Sequence, residues 1–410
     1  MQLEQAIDRT NAPRPRLITP TFFLITLSTL AYFVAIGCLI PTLPLFVEGP
    51  LSGSSISVGL VIGTFSLSAV LLRPFIGHVG DARGRRILIV GGAGLVGVSI
   101  AGYAIASALP VLLLLRLLTG AGEAAFYVGA ASAINDLAPD ERRGEALSFF
   151  SLALYGGLAI GPVLGEWVLQ SDHFHATWFV AAAGALIASA LGLKVRDTRP
   201  GVDESVEAPT ERKLIHRRGL MPGTILATSV WGLSGFNTFV PLYALSLGLS
   251  GSRAVFVVYS AVVLLIRSFG ARLPDVLGPR KAASAALVCS TIGLGTIGVI
   301  GTTPALIVGA GLFGVGQALA FPALMTLAVG GAPVSERGAV IGTFTAFFDL
   351  AFGLGALSLG AVVALFGYRG SFIASALVSA FGFGLLRTYA RRSRRAASVA
   401  RNAEAVVESA

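Results

Sequence analysis

The chain has 410 residues, of which 54% are hydrophobic and only 12% charged, with a mean hydropathy of +0.80. Soluble domains approach a quarter charged residues, so this composition excludes an ordinary soluble fold and requires lipid to solvate most of the surface. The net charge of +9 does not indicate nucleic-acid binding, because the basic residues lie between apolar runs and not on a basic face with interleaved aromatics.

Residues 1–16 are polar and read as a cytoplasmic tail. The apolar run that follows is too long for a signal-peptide core and lacks a small-residue cleavage site, so it is expected to be retained as the first span. A helix crossing the hydrocarbon core needs roughly 20 apolar residues. On that criterion the spans are 17–46, 55–76, 87–108, 111–134, 145–169 and 176–193, then 220–243, 252–270, 282–301, 305–329, 339–365 and 370–388. No alternating strand pattern appears, so the chain is predicted to be an all-α integral membrane protein.

Of the 30 Lys and Arg residues, all but Arg116, Arg253 and Arg369 fall on one side if both termini share it, which predicts cytoplasmic termini in a bacterial cytoplasmic membrane. The polar segment 194–219 reads as a cytoplasmic linker between two bundles, 17–193 and 220–388, and 389–410 as a basic cytoplasmic tail. Shifting the first half by 194 residues lays Arg73 on Arg267, Asp81 on Asp275, Gly84 on Gly278, Gly122 on Gly316, Glu123 on Gln317, Pro139 on Pro333 and Gly161 on Gly355. One register across several loops and helices indicates a parallel duplication, hence twelve transmembrane helices in two six-helix pseudo-symmetric bundles.

Three motifs stand out. The loop after span 2 reads Gly77-His-Val-Gly-Asp81-Ala-Arg83-Gly84-Arg85-Arg86, following Arg73. Span 4 carries Arg116-Leu-Leu-Thr-Gly120-Ala-Gly122-Glu123. Span 5 carries Gly157-x-x-x-Gly161-Pro162-x-x-Gly165, whose glycines at four-residue spacing clear one helix face for a neighbour. Together these resemble the signatures of the major facilitator superfamily, with Ala82 where the family loop is commonly basic and Glu166 where the span 5 motif often ends in a second Gly. The resemblance implies a secondary transporter that works by alternating access, and the span 5 motif resembles that of twelve-helix drug and metabolite:proton antiporters. It also implies that the loop residues, with Asp275 of the second half, act in a conformational switch. An acid at the inner end of span 2 can pair with bases in one state and release them in another.

Charged residues inside spans are costly, so Arg116 and Glu123 in span 4 and Asp349 in span 11 are expected to face protein or a watery cavity. Burial favours the neutral carboxyl and a nearby cation the charged one, a balance suited to proton exchange. Glu123 is read as the principal proton carrier, and Asp349 as a second carrier or a partner for a cationic substrate. Arg116, seven residues before Glu123 on one helix face, is read as biasing that proton, binding an anionic substrate, or neutralising Glu123 structurally. Tyr32, Tyr127, Tyr155, Trp231, Asn237 and Gln317 are candidate cavity residues or packing and interfacial anchors.

Gly92-Ala-Gly94-Leu-Val-Gly97 matches a dinucleotide fingerprint but lies inside span 3 and reads as helix packing. Cys38 and Cys289 lack a metal or disulfide spacing, and His173 and His175 lack a third ligand, so no metal is expected. Neither HExxH nor GxSxG occurs, and no filter loop or charged ring suggests a channel. The expectation is a non-enzymatic, proton-coupled exporter of a small organic molecule, functional as a monomer in the lipid bilayer without cofactor. Proton-coupled uptake and a non-transporting receptor are the alternatives.

Overall fold

The computed structural model describes all residues except 1–16, 140–141, 171–172, 199–215, 270–275, 331, 334–335 and 409–410. The predicted N-terminal tail, most of the predicted linker and Asp275 therefore lie outside the described residues. Those described are almost entirely helical: α1 (Pro20–Glu48), α2 (Ser55–Arg83), α3 (Arg85–Gly102), α4 (Leu109–Leu137), α5 (Arg143–Leu169), α6 (Phe174–Leu193), α7 (Arg217–Ser246), α8 (Arg253–Phe269), α9 (Pro279–Ile300) and α10 (Thr303–Val329). A last helical stretch, Arg337–Glu408, is broken at Gly367 (φ 69°, ψ 179°) into α11 before it and α12 after it. The helix of the predicted C-terminal tail thus continues from α12 without a break.

Ten stretches among the described residues are long and apolar enough to cross a membrane, one of them the 51-residue Ala339–Tyr389 that Gly367 divides in two. With α8, shorter than the others at 17 residues, twelve crossings result. Large apolar side chains such as Val98, Leu365 and Phe381 point outward, as a surface solvated by hydrocarbon requires.

Sequence dictates the helix ends. Thr19 and Ser54 cap α1 and α2 with their hydroxyls, satisfying amides that the first turn leaves free. Gly84 and Gly278, equivalent under the 194-residue shift, both stand immediately before a helix with φ of 94° and 79°, a conformation that favours glycine. The repeat recurs in the packing. The backbone of α4 at Gly122 meets Gly92 of α3, and that of α10 at Gly316 meets Ala286 of α9. Likewise Gly161 of α5 packs on Gly37 of α1, and Gly355 of α11 on Trp231 of α7.

Within the first half, α1 packs on α5 and α6, and α4 on α2 and α3; the second half repeats this scheme. The halves meet chiefly through α2 with α11 and α5 with α8, and also through α1 with α7. Following the chain, α1 starts on the same side of the bundle, here termed the terminal side, toward which α12 runs. At the opposite side α2 and α11 touch backbone to backbone: side chains added at Gly59 and Gly360 would strike Ala356 and Ser55. There too, Tyr368 donates to Glu48 across the halves at 3.0 Å.

Candidate functional site

Toward the terminal side from that backbone contact, α2 and α11 are joined by side chains. Arg73 of α2 forms an ion pair through Nη1 with Asp349 Oδ2 of α11, and its Nη2 lies 3.4 Å from Glu123 Oε1 of α4. One guanidinium therefore joins a carboxylate of its own half to a carboxylate of the other. Tyr127, one turn beyond Glu123 on α4, places its ring 4.9 Å beneath Arg73. The three charged side chains are 10–20% exposed, so little water screens them. In such surroundings losing one partner leaves the remainder strongly uncompensated.

Sequence reading placed Arg116, not Arg73, beside Glu123. The structure differs: Arg116 is 4% exposed and turned into the first half, donating from Nε to the Val61 carbonyl at 3.0 Å and stacking 4.4 Å from the Phe65 ring. Its face of α4 is covered, because Gly120 abuts the backbone of Phe65 on α2. Arg116 braces α2, α4 and Tyr103, while Arg73, grouped in sequence with the switch loop, supplies the cation. The contiguous side chain of Arg73 gave no sequence signal for this; only the fold brings together positions 50 and 276 residues apart.

The second half holds the related arrangement. Arg267 of α8 lies 3.4 Å from the centroid of the Tyr155 ring on α5. With Tyr259, Gln317, Phe321 and Phe348 these side chains line a pocket between the halves. The Gln317 amide donates to the Ser229 hydroxyl at 3.1 Å. Trp231 and Asn237 are half-buried on α7, and Tyr32 is fully buried, stacked 3.9 Å from Phe126, as a packing residue would be.

The loop between α2 and α3 is tied to its own half. Arg85 binds Asp81 at 2.8 Å and Asp136 of α4 at 3.2 Å. Asp197, just past α6, accepts from the Arg85 backbone amide at 3.0 Å, filling the space that a side chain at Gly84 would need. Arg86 donates to the Leu193 carbonyl. Gly77 meets nothing at its Cβ position, and Arg83 is exposed. Asp197 and Asp136 were not anticipated, since neither belongs to the motif.

In α5, Gly157, Gly161 and Gly165 face Phe33, Gly37 and Cys38 of α1 so closely that backbones touch, with Pro162 alongside Gly37. Glu166, which departs from the motif, is 6% exposed and accepts from the backbone amide of Ser252 and from its hydroxyl at 3.1 Å. It thereby caps α8 from the opposite half. The fingerprint-like glycines of α3 are packing residues: Gly92 abuts α4 and Gly97 abuts Leu186 of α6. No cluster of metal-ligating side chains occurs among the described residues.

A duplicated helical bundle with paired charges at its internal interface defines a multi-pass membrane protein of the transporter class. The sequence model of the Major Facilitator Superfamily matches residues 25–277 and 252–409, and the chain belongs to that family. An uncharacterized MFS-type transporter of Pseudomonas aeruginosa is 29% identical over 396 residues, covering 92% of this chain and 95% of its own. Another, of Salmonella typhimurium, is 25% identical over 380 residues, covering 91% and 97%. The crystal structure of a bacterial homolog to the human lysosomal transporter Spinster, in an inward-facing and unoccupied conformation, shares the fold with a TM-score of 0.75 at 14% identity, over 93% of this chain and 99% of that one.

Proposed function

We propose that this transporter is proton-coupled and that the Arg73 ion triad is its coupling element. The observation that carries the reading is that Arg73 holds Glu123 in one half and Asp349 in the other. Protonating Asp349 removes the charge that ties α2 to α11, and protonating Glu123 leaves Arg73 to Asp349 alone. Proton occupancy thereby changes the free-energy difference between a bundle joined at this level and one in which the halves have rocked apart, as coupling requires. Contacts on the opposite side, from Gly59, Glu166 and Tyr368, support a state closed on that side. The distribution of Lys and Arg supports placing the terminal side in the cytoplasm of a bacterial cell.

Export of a small organic molecule against inward protons is the reading favoured by the Gly157–Gly161–Pro162–Gly165 stripe. It needs no cofactor and one copy of the chain in the bilayer. Proton-coupled uptake uses the same carboxyls and is the second reading; a receptor would move neither proton nor solute. Everted vesicles holding an acid interior test all three. For an antiporter, adding a transported compound to the outside dissipates the gradient, and Glu123→Gln or Asp349→Asn abolishes the response. Gradient-driven flux that survives both substitutions overturns the reading.

A further inference from the structure

Arg73 and Arg267 are repeat equivalents, but their surroundings are not. The positions matching Asp349 and Glu123 are Tyr155 and Gln317, so the second half has kept the cation and holds neutral groups where the first half has acids. Among the described residues no carboxylate pairs with Arg267. Its guanidinium lies against the Tyr155 ring, and its buried Nε has no hydrogen-bond partner. A half-buried cation between apolar helices is costly unless something neutralises it. Stacking on an aromatic ring recovers only part of that cost.

We propose that Arg267 is the anion-binding group of a substrate subsite, and that the transported compound is a small organic acid with an apolar or aromatic body. This rests on the transporter reading but not on the direction of transport. The pocket is only about 30 Å³ as closed here, so the halves must part to admit such a molecule, but its lining has the chemistry for one. Arg267 presents its guanidinium to a carboxylate with fork geometry. Tyr259, Phe321 and Phe348 supply apolar and aromatic wall, and Gln317 adds a neutral amide that does not repel an anion. Tyr155 comes from the other half, so a ligand held here contacts both halves. Such a contact lets binding influence how they rock.

The test uses purified full-length protein in nanodiscs and calorimetric titration with benzoate, 1-naphthoate and indole-3-acetate. The neutral 1-naphthamide and the cation 1-naphthylmethylammonium serve as controls. At least one acid should bind, the matching amide and amine should bind far more weakly, and Arg267→Gln should weaken the acid by about tenfold or more. Arg267→Lys, which keeps the charge and protects the fold, should restore part of the affinity. Acid binding unchanged in Arg267→Gln, amide binding as tight as acid, or no acid binding to the unmodified protein overturns the proposal. Glu123→Gln separates this from the coupling reading, because it should abolish proton-driven flux while leaving Arg267-dependent acid binding intact. Flux that persists in Glu123→Gln and Asp349→Asn sinks the coupling reading alone.

Discussion

Arg73 meets a carboxylate across the interface, at Asp349, whereas its repeat counterpart Arg267 meets the ring of Tyr155. Both reach from the second helix of a half to the fifth helix of the other half, so the two contacts are one geometry used twice. The first contact joins a cation to a carboxylate. The second joins a cation to a neutral ring, and the bundle is therefore chemically asymmetric on a symmetric frame.

Removing the shared cation is expected to be more damaging than removing either acid. Arg73→Gln leaves Glu123 and Asp349 buried without a counter-charge, a change that costs about 3–5 kcal/mol in comparable buried pairs. Its thermal unfolding temperature in detergent should fall, and Arg73→Gln combined with Asp349→Asn should recover part of the loss. Asp349→Asn alone should unfold near the unmodified temperature while losing proton-driven flux. An Arg73→Gln protein as stable as the parent would show that the triad does not carry the charge balance assigned to it.

Arg116 should behave in the opposite way. Bound to the Val61 carbonyl inside the first half, it contributes packing and a charge-assisted hydrogen bond worth roughly 1.5–3 kcal/mol. Arg116→Gln should lower the unfolding temperature and leave the ratio of protons to solute unchanged. A changed ratio in reconstituted vesicles would assign Arg116 to coupling.

Glu166 caps α8 from α5 and so closes the side opposite the chain termini. Losing such a cap costs about 1 kcal/mol, enough to shift a two-state population by roughly fivefold. Spin labels on the ends of α5 and α8, in a background lacking Cys38 and Cys289, should report more of the separated distance in Glu166→Ala. An unaltered distance distribution would mean the cap is local to α8.

Gly161 and Gly37 let α5 and α1 touch along their backbones. Gly161→Val should overpack this seam, at about 1–3 kcal/mol or more because both faces are backbone and cannot yield. Gly77→Ala, where the added methyl meets open space, is the matched control and should be neutral in the same melting experiment.

Much of the architecture was legible because a spanning helix must be apolar along its length and satisfy its own backbone. The twelve spans, the 194-residue repeat and the packing role of the α3 glycines follow from that constraint together with the spacing of Gly and Arg. Helix ends were less legible: α2 runs on to Arg83, and α12 continues through the expected tail to Glu408. Both extensions are polar, and hydropathy does not register polar helix.

The carboxylates of the site could be picked out from sequence because an acid within a span is rare and costly. Their partner could not. Arg116 shares a helix with Glu123 and so seemed near it, yet helix rotation turns it toward Val61, while Arg73 arrives from another helix. Tyr155, an ordinary aromatic in sequence, becomes the surface beneath Arg267 only once α5 and α8 cross. Composition and periodicity determine which segments enter the membrane and that there are two of each. Which charges meet depends on the rotation and crossing of packed helices, and that information is distributed over contacts between residues far apart in the chain.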